Sequence, residues 1–259
     1  QLKKWNGKLV EIPYSNNPKI SEIHNKYKNH FFNSGSRVSI LKRLIKTKKI
    51  VKFIECHNPL TGLMIENLKL NYNNDFREFE GFWSSSLTDS ASNGKPDNQA
   101  FDINTRINNL NYVLEVTTKP ILFDADNGGR IEHLPYTVKN LERLGVSSIC
   151  IEDKKGLKIN SLSEDQSKSK QESIKSFCKK IRVASNARNS KNFLISARIE
   201  SLILNKGFKD ALKRAEAYSK AGADLILIHS KKNTSNEIFK FAKKFKKSKY
   251  FKPMIAVPS

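Results

Sequence analysis

Short apolar runs recur along the chain, and almost every one is followed by an ionisable or polar side chain. The runs are VKFI (51–54), GFW (81–83), PILF (120–123), SSICI (147–151), FLISA (193–197), LILI (225–228) and MIAV (254–257). Runs this short and this continuously apolar predict strands buried on both faces. Between several of them, apolar residues fall at helical spacing. Helices are predicted over 36–49, with Val38, Leu41, Leu44 and Ile45 on one face, and over 132–145, 173–187, 210–222 and 236–245. Gly145 and Gly222 stand where helix-terminating glycines are expected. Strands alternating with helices predict a parallel sheet covered by helices on its outer face. Two architectures fit: a (β/α)8 TIM-type barrel without its last unit, or a doubly wound sheet. No Gly-x-Gly-x-x-Gly opens any unit, which weighs against the dinucleotide-binding form of the second. Residues 1–36 are polar, with Pro13, Pro18 and several Asn, and are expected to form an arm or linker. That leaves 37–259 for the barrel domain.

The residues after each run carry the candidate chemistry. Glu55 and His57 follow the first, Ser84, Ser85 and Ser86 the second, and Asp124 and Asp126 the third. Glu152, Asp153 and Lys154 follow the fourth, Arg198 and Glu200 the fifth, His229 and Ser230 the sixth, and Pro258 and Ser259 the last. In a barrel the C-terminal strand ends form one face, where active sites sit. One polar residue there is ordinary; a full set converging from separate strands is hard to account for by structure alone. Asp124, Asp126 and Glu152 supply carboxylates from two strand ends, with no Cys or His cluster beside them. Hard oxygen ligands suit Mg²⁺, with Mn²⁺ as the alternative, and a divalent cation relieves the repulsion between crowded carboxylates. The structural alternative makes Asp126 a turn or cap residue of the following loop. Arg198, His229 and Lys158 supply positive or hydrogen-bonding groups. The corresponding alternatives are an internal ion pair of Arg198 with Glu200 or Glu55, and a satisfied core position for His229. Metal, cations and a serine-rich turn together describe a site for a small, highly anionic substrate.

Composition narrows the classes. The 259 residues are 38% hydrophobic, enough for a sizeable core. Lys and Arg number 47 against 25 Asp and Glu, a formal charge of +22. The lysines are scattered and no aromatic-basic motif accompanies them, so they read as a solvated surface and nucleic acid is not an expected partner. Cys56, Cys150 and Cys178 are too few and too widely spaced for a disulfide framework or a zinc site, which points to a reducing, cytoplasmic setting. No apolar run approaches the roughly 18 residues needed to span a membrane. The chain begins at Gln1 and stops just after the seventh run, so it is expected to be a piece of a longer protein.

EDKKGLKINS (152–161) resembles the Glu-Asp-Lys-x₅-Asn-Ser motif of the phosphoenolpyruvate mutases, in the isocitrate lyase superfamily. FDADNGG (123–129), WSSSLTDSASNGKPDN (83–98), ARIES (197–201), RAEAYSKAGAD (214–224) and HSKK (229–232) look like that family's successive landmarks, in its order, over about residues 38–259. The resemblance implies a TIM-type barrel interrupted here after strand seven. It also implies Mg²⁺-dependent transfer of a phosphoryl group between the enol oxygen of phosphoenolpyruvate and C3 of phosphonopyruvate. It gives the metal to Asp124, Asp126 and Glu152, and the substrate carboxylate to the turn at Ser85, Ser86 and Leu87, beside Trp83. Asp97 matches a site aspartate. Lys158, Asn160 and Ser161 match a lid that closes over the phosphoryl group, and Arg198 and His229 match its other phosphoryl contacts. The family also implies a homodimer or homotetramer. Ser86 replaces a common Gly, Asp97-Asn98-Gln99 lacks a usual carboxylate, and DADNGGR replaces a commoner DGDTGYGN. Phosphonopyruvate hydrolase is the nearest alternative; its lid lacks the Asn, so Asn160 favours the mutase. Carbon–carbon bond lyases of the superfamily usually carry a lid cysteine, absent here. From a different class, the alternative is a basic nucleic-acid-binding protein on an inactive barrel.

Overall fold

The computed structural model describes residues 3–5, 9–11, 34–72, 75–156, 158–163 and 165–257. Most of the expected arm, and Pro258 and Ser259, lie outside these. Seven strands form one parallel sheet: β1 (Phe53–Glu55), β2 (Gly81–Ser84), β3 (Ile121–Asp124), β4 (Ser148–Glu152), β5 (Leu194–Ile199), β6 (Leu225–Ile228) and β7 (Met254–Ile255). Each pairs with its neighbour in chain order. The helices are α1 (Ser34–Thr47), α2 (Pro59–Asn67), α3 (Ser86–Ser92), α4 (Ile103–Val116), α5 (Leu134–Leu144), α6 (Ile174–Ala187), α7 (Gly207–Ala221) and α8 (Asn236–Phe245). Strands alternating with helices in this unbroken order make the TIM-type arrangement, not the doubly wound one, whose strand order reverses.

Period-two alternation within the strands divides inside from outside. Phe123, Ile149, Ile151, Ile195, Ala197, Ile226 and Ile228 face outward into one large core. There they meet Val138 and Leu141 of α5, Phe177 and Ile181 of α6, Tyr218 of α7 and Phe241 of α8. The alternate residues Leu122, Cys150 and Leu227 face inward and pack with Phe53, Trp83 and Ile255. Phe53 and Ile255 come from the two edge strands, so the sheet is curled. Leu194 and Leu225, at the N-terminal ends of β5 and β6, pack with Leu41 and Ile45 of α1, which plugs that mouth of the barrel. Arg37 fastens this plug: its buried guanidinium donates to the carbonyls of Leu114 and Thr117, at 3.1 and 2.9 Å, at the end of α4. The polar ends are left at the opposite mouth.

Gly145 and Gly222 terminate α5 and α7 with φ of 94° and 116°, a region where a side chain would be strained. Leu141 is fully buried between α5 and the sheet. Leu141→Ala is expected to lower stability by about 2–5 kcal/mol, read as a shifted urea midpoint at unchanged slope.

Candidate active site

The inward-facing alternation carries on to the strand ends. After Leu122 the next inward residue is Asp124; after Cys150, Glu152; after Leu227, His229. Arg198 of β5 lies opposite Glu152 in the register. All four side chains are buried or nearly so. The chain then turns sharply beyond β3. Asp124 Oδ1 accepts the backbone N–H of Asp126 at 3.1 Å, and Asp126 has φ of 54°, a conformation Asp tolerates better than most residues. Asp126 is therefore a turn residue, as the structural alternative held, but its carboxylate also points into the site and meets the Lys158 ammonium.

Ser85 stands at the position before α3 without a side-chain capping bond, and Ser86 opens the helix, donating its hydroxyl to Asp124 Oδ2 at 3.1 Å. The serine turn thus sits directly on the first carboxylate. Trp83 is half-buried just below it, and the Leu87 side chain is exposed. From the other side comes a hairpin whose short strands, Lys154–Lys155 and Lys170–Gln171, pair antiparallel. The residues between them lie over the strand ends. Lys158 is 8% exposed, contacts Ser86 and Asp126, and lies 2.9 Å from Asp97 Oδ1. Asn160 Nδ2 donates to Asp97 Oδ2 at 2.8 Å. Lys154 Nζ donates to the Ile159 carbonyl and to Ser161 Oγ (both 2.7 Å), Asn127 Nδ2 donates to the Gly156 carbonyl (3.1 Å), and Gln166 Nε2, within the segment, donates to the Asn160 carbonyl (2.8 Å).

Arg198 is the hub of the opposite wall. Its Nε pairs with Glu200, and its Nη2 donates to Ser161 Oγ at 3.0 Å. Nη2 lies 2.9 Å from His229 Nδ1. The same Nδ1 lies 3.5 Å from Glu200 Oε1, so the imidazole stands between the guanidinium and the carboxylate. Ser161 Oγ also donates to Glu200 Oε2 at 2.7 Å. Glu200 is therefore a partner of Arg198, as one sequence alternative held, within a network that includes Ser161. Glu55 lies exposed at the end of β1, and Ser230 turns to Glu237 at 2.9 Å.

The electrostatics follow from burial and these pairings. Burial alone would push the Asp124 carboxyl up, but Lys158, Arg198 and Arg106 outweigh it and hold it below the usual range. Burial would likewise pull the Lys158 ammonium down, yet Asp124, Asp126, Glu152 and Asp97 keep it above the ordinary lysine value. Burial pushes Glu152 up to about 7, against the pull of Arg198 at 3.8 Å. Its Oε1 is buried without a hydrogen-bond partner. Cys150 lies fully buried inside the barrel, and burial holds its thiol well above the usual value, so it offers no nucleophile.

Among the described residues no three His, Cys, Asp or Glu side chains converge as a ready-made metal cage. Asp126 is paired with Lys158, while Asp124 and Glu152 stand 3.9 and 3.8 Å from Arg198. The donor chemistry nevertheless suits a hard divalent cation: all-oxygen ligands, and a buried glutamate oxygen lacking any partner.

Sequence reasoning gave no role to Arg106 or Asp89. Both are buried, and Arg106 bonds the carbonyl of Asp124 at 2.6 Å. Their helices were not predicted. The available signal was Asp102, which caps α4 through the N–H groups of Asn104 and Thr105, followed by Ile103, Ile107, Leu110 and Leu114 at helical spacing.

The family model for phosphoenolpyruvate phosphomutase matches residues 41–258. The chain belongs to the phosphoenolpyruvate phosphomutase family. The phosphoenolpyruvate phosphomutase of Tetrahymena pyriformis is 34% identical over 230 residues, covering 88% of this chain and 72% of that one. Among solved structures, the phosphoenolpyruvate phosphomutase from Streptomyces platensis subsp. rosaceus superposes with a TM-score of 0.77 at 30% identity, over 86% of this chain and 73% of the other. A phosphonopyruvate hydrolase solved with oxalate and Mg²⁺ gives a TM-score of 0.73, also at 30% identity, over 86% and 72%. These place the fold in the isocitrate lyase/phosphoenolpyruvate mutase superfamily of TIM-type barrels. The two solved structures, one a mutase and one a hydrolase, are equally identical to this chain, so identity to them does not separate the two activities. No helix among the described residues is long and apolar enough to cross a membrane.

Proposed function

We propose that this protein is a phosphoenolpyruvate mutase, interconverting phosphoenolpyruvate and phosphonopyruvate by intramolecular phosphoryl transfer. The observation that carries this reading is the lid: Lys158 and Asn160 lie over the carboxylate cluster and meet the single aspartate Asp97, at 2.9 and 2.8 Å. In the forward direction the bond from phosphorus to the enol oxygen breaks and a bond from phosphorus to C3 forms. No water enters and no proton is consumed. Such a loose transition state asks for positioning, countercharge and dryness, with little covalent chemistry by the protein. Asp124, Asp126 and Glu152 would hold Mg²⁺, or Mn²⁺ in its place, which when bound supplies countercharge for the enolate oxygen. The turn at Ser85, Ser86 and Leu87 orients the substrate carboxylate. Arg198, His229 and Lys158 hold the phosphoryl oxygens, and Asn160 and Ser161 keep water from reaching them. The reading includes assembly as a homodimer or homotetramer.

The alternative supported by the 30% identity of the hydrolase structure is cleavage of phosphonopyruvate to pyruvate and phosphate. Incubation with phosphonopyruvate and Mg²⁺, followed by phosphorus NMR, separates them. The expected product is phosphoenolpyruvate; inorganic phosphate as the main product overturns the mutase reading in favour of the hydrolase.

A further inference from the structure

We infer that Arg106 is a positioning residue of this site: it locks the ends of β2 and β3 together and so sets the separation between the Ser85–Leu87 turn and the Asp124–Asp126 pair. Arg106 rises from the first turns of α4 and is 2% exposed. Its guanidinium spans both strand ends. Nη2 donates to the carbonyl of Ser84, the last residue of β2, at 3.2 Å, and Nη1 to the carbonyl of Asp124, the last residue of β3, at 2.6 Å. Nε donates to Asp89 Oδ2 at 2.8 Å, and the same oxygen accepts the Ser84 hydroxyl at 3.0 Å. The guanidinium lies 4.4 Å from the centre of the Phe123 ring, which limits its freedom on that side. Asp126 Oδ2 is 4.0 Å from Nη1.

One planar group therefore reaches the strand leading into the serine turn, the strand carrying the carboxylates, and the helix that the turn begins. Only a guanidinium has the rigid fork for this; an ammonium in its place has the charge but not the spread of donors. Packing alone does not call for it. A buried ion pair commonly stabilises a core no better than apolar residues of similar size. What the pair supplies instead is fixed geometry immediately behind the residues that would hold metal and substrate. Groups that orient ligating side chains typically matter by 10- to 100-fold in affinity or activity. This deepens the mutase reading and rests on it where metal and turnover are concerned.

The test uses two variants of the full chain, R106K and R106M/D89N. The second removes both charges together, so that a folded protein is available even if an unpaired Asp89 proves damaging. Three measurements are made: Mn²⁺ affinity by paramagnetic resonance, kcat and KM for phosphonopyruvate, and amide hydrogen exchange. In both variants exchange is expected to speed up about tenfold in the segments around 84–90 and 124–128 while β5 and β6 keep their protection. Mn²⁺ affinity is expected to weaken by about tenfold and kcat to fall by about 10- to 100-fold, with R106K the milder. A lowered thermal midpoint with Mn²⁺ affinity, kcat and local exchange within twofold of wild type would make Arg106 an ordinary core residue and overturn the proposal. Failure of both variants to fold would do the same. A wild type that neither binds Mn²⁺ nor forms phosphoenolpyruvate counts against the mutase reading alone; the local exchange pattern then decides for or against Arg106.

Discussion

Asp124→Ala is expected to lower phosphonopyruvate turnover by roughly 10³-fold or more, to the level of wild type stripped of divalent cations by chelator. The reason is the number of roles converging on one carboxylate. Asp124 is a proposed metal ligand, it accepts the Ser86 hydroxyl at 3.1 Å, and it accepts the Asp126 N–H that shapes the turn, also at 3.1 Å. Its removal leaves Lys158, Arg198 and Arg106 with one fewer anion among them. The measurement compares initial rates with added Mg²⁺ for wild type, chelator-treated wild type and the variant. Adding Mg²⁺ back should restore the second but not the third. A variant that keeps wild-type turnover, or a wild type indifferent to chelator, would sink the metal assignment.

Asn160→Ala should produce the second large effect, and the only one that changes which product forms. Asn160 bonds Asp97 across the site and its carbonyl is held by Gln166, both at 2.8 Å. With alanine the bond to Asp97 is gone, and the lid loses a donor beside the proposed phosphoryl group. Turnover to phosphoenolpyruvate should fall by a factor on the order of 10²–10³, as when one transition-state donor is lost. A less securely closed lid admits water, so part of the remaining flux should appear as pyruvate and phosphate. Phosphorus NMR on both proteins gives rate and product ratio together. If both are unchanged, the lid motif does not act here as in the proposed mechanism.

The fold was legible where local chemistry and tertiary placement agreed. Gly145 and Gly222 marked two helix ends because left-handed backbone is a local demand. Residues 236–245 matched α8 because Phe241 and Phe245 enter the core while its lysines cover the outer side. Strand ends were placed one residue short at Asp124 and Glu152. An apolar run stops where polarity begins, yet both residues stay in the sheet and face the barrel interior. Helix α2 escaped because Leu60, Leu63 and Met64 are exposed while Gly62 is buried, which erases the expected stripe. Helix α3 has only seven residues. The lid hairpin is built from lysine and glutamine, without alternation to reveal it. Barrel and doubly wound sheet could not be separated by pattern, since the difference lies in strand order and curl.

The candidate site divides the same way. Each strand-end residue was visible because it interrupts an apolar run, and the lid because its motif is distinctive. Arg106 sits within an asparagine-rich helix, and besides Asp89 its partners are backbone carbonyls of distant strands. Such a partner leaves no trace in residue type, so only the fold could reveal it.

The lid is tied down by its own lysine, by Gln166 and by Asn127, while the carboxylates hang from strands embedded in the apolar core. The two parts of the site are thus free to vary at different rates. In the proposed mechanism, substitutions in 158–163 would alter how tightly the reacting group is sealed without opening a cavity among Phe123, Ile149 and Ile151. On that reading, a change of reaction outcome within this barrel would require no rebuilding of its core.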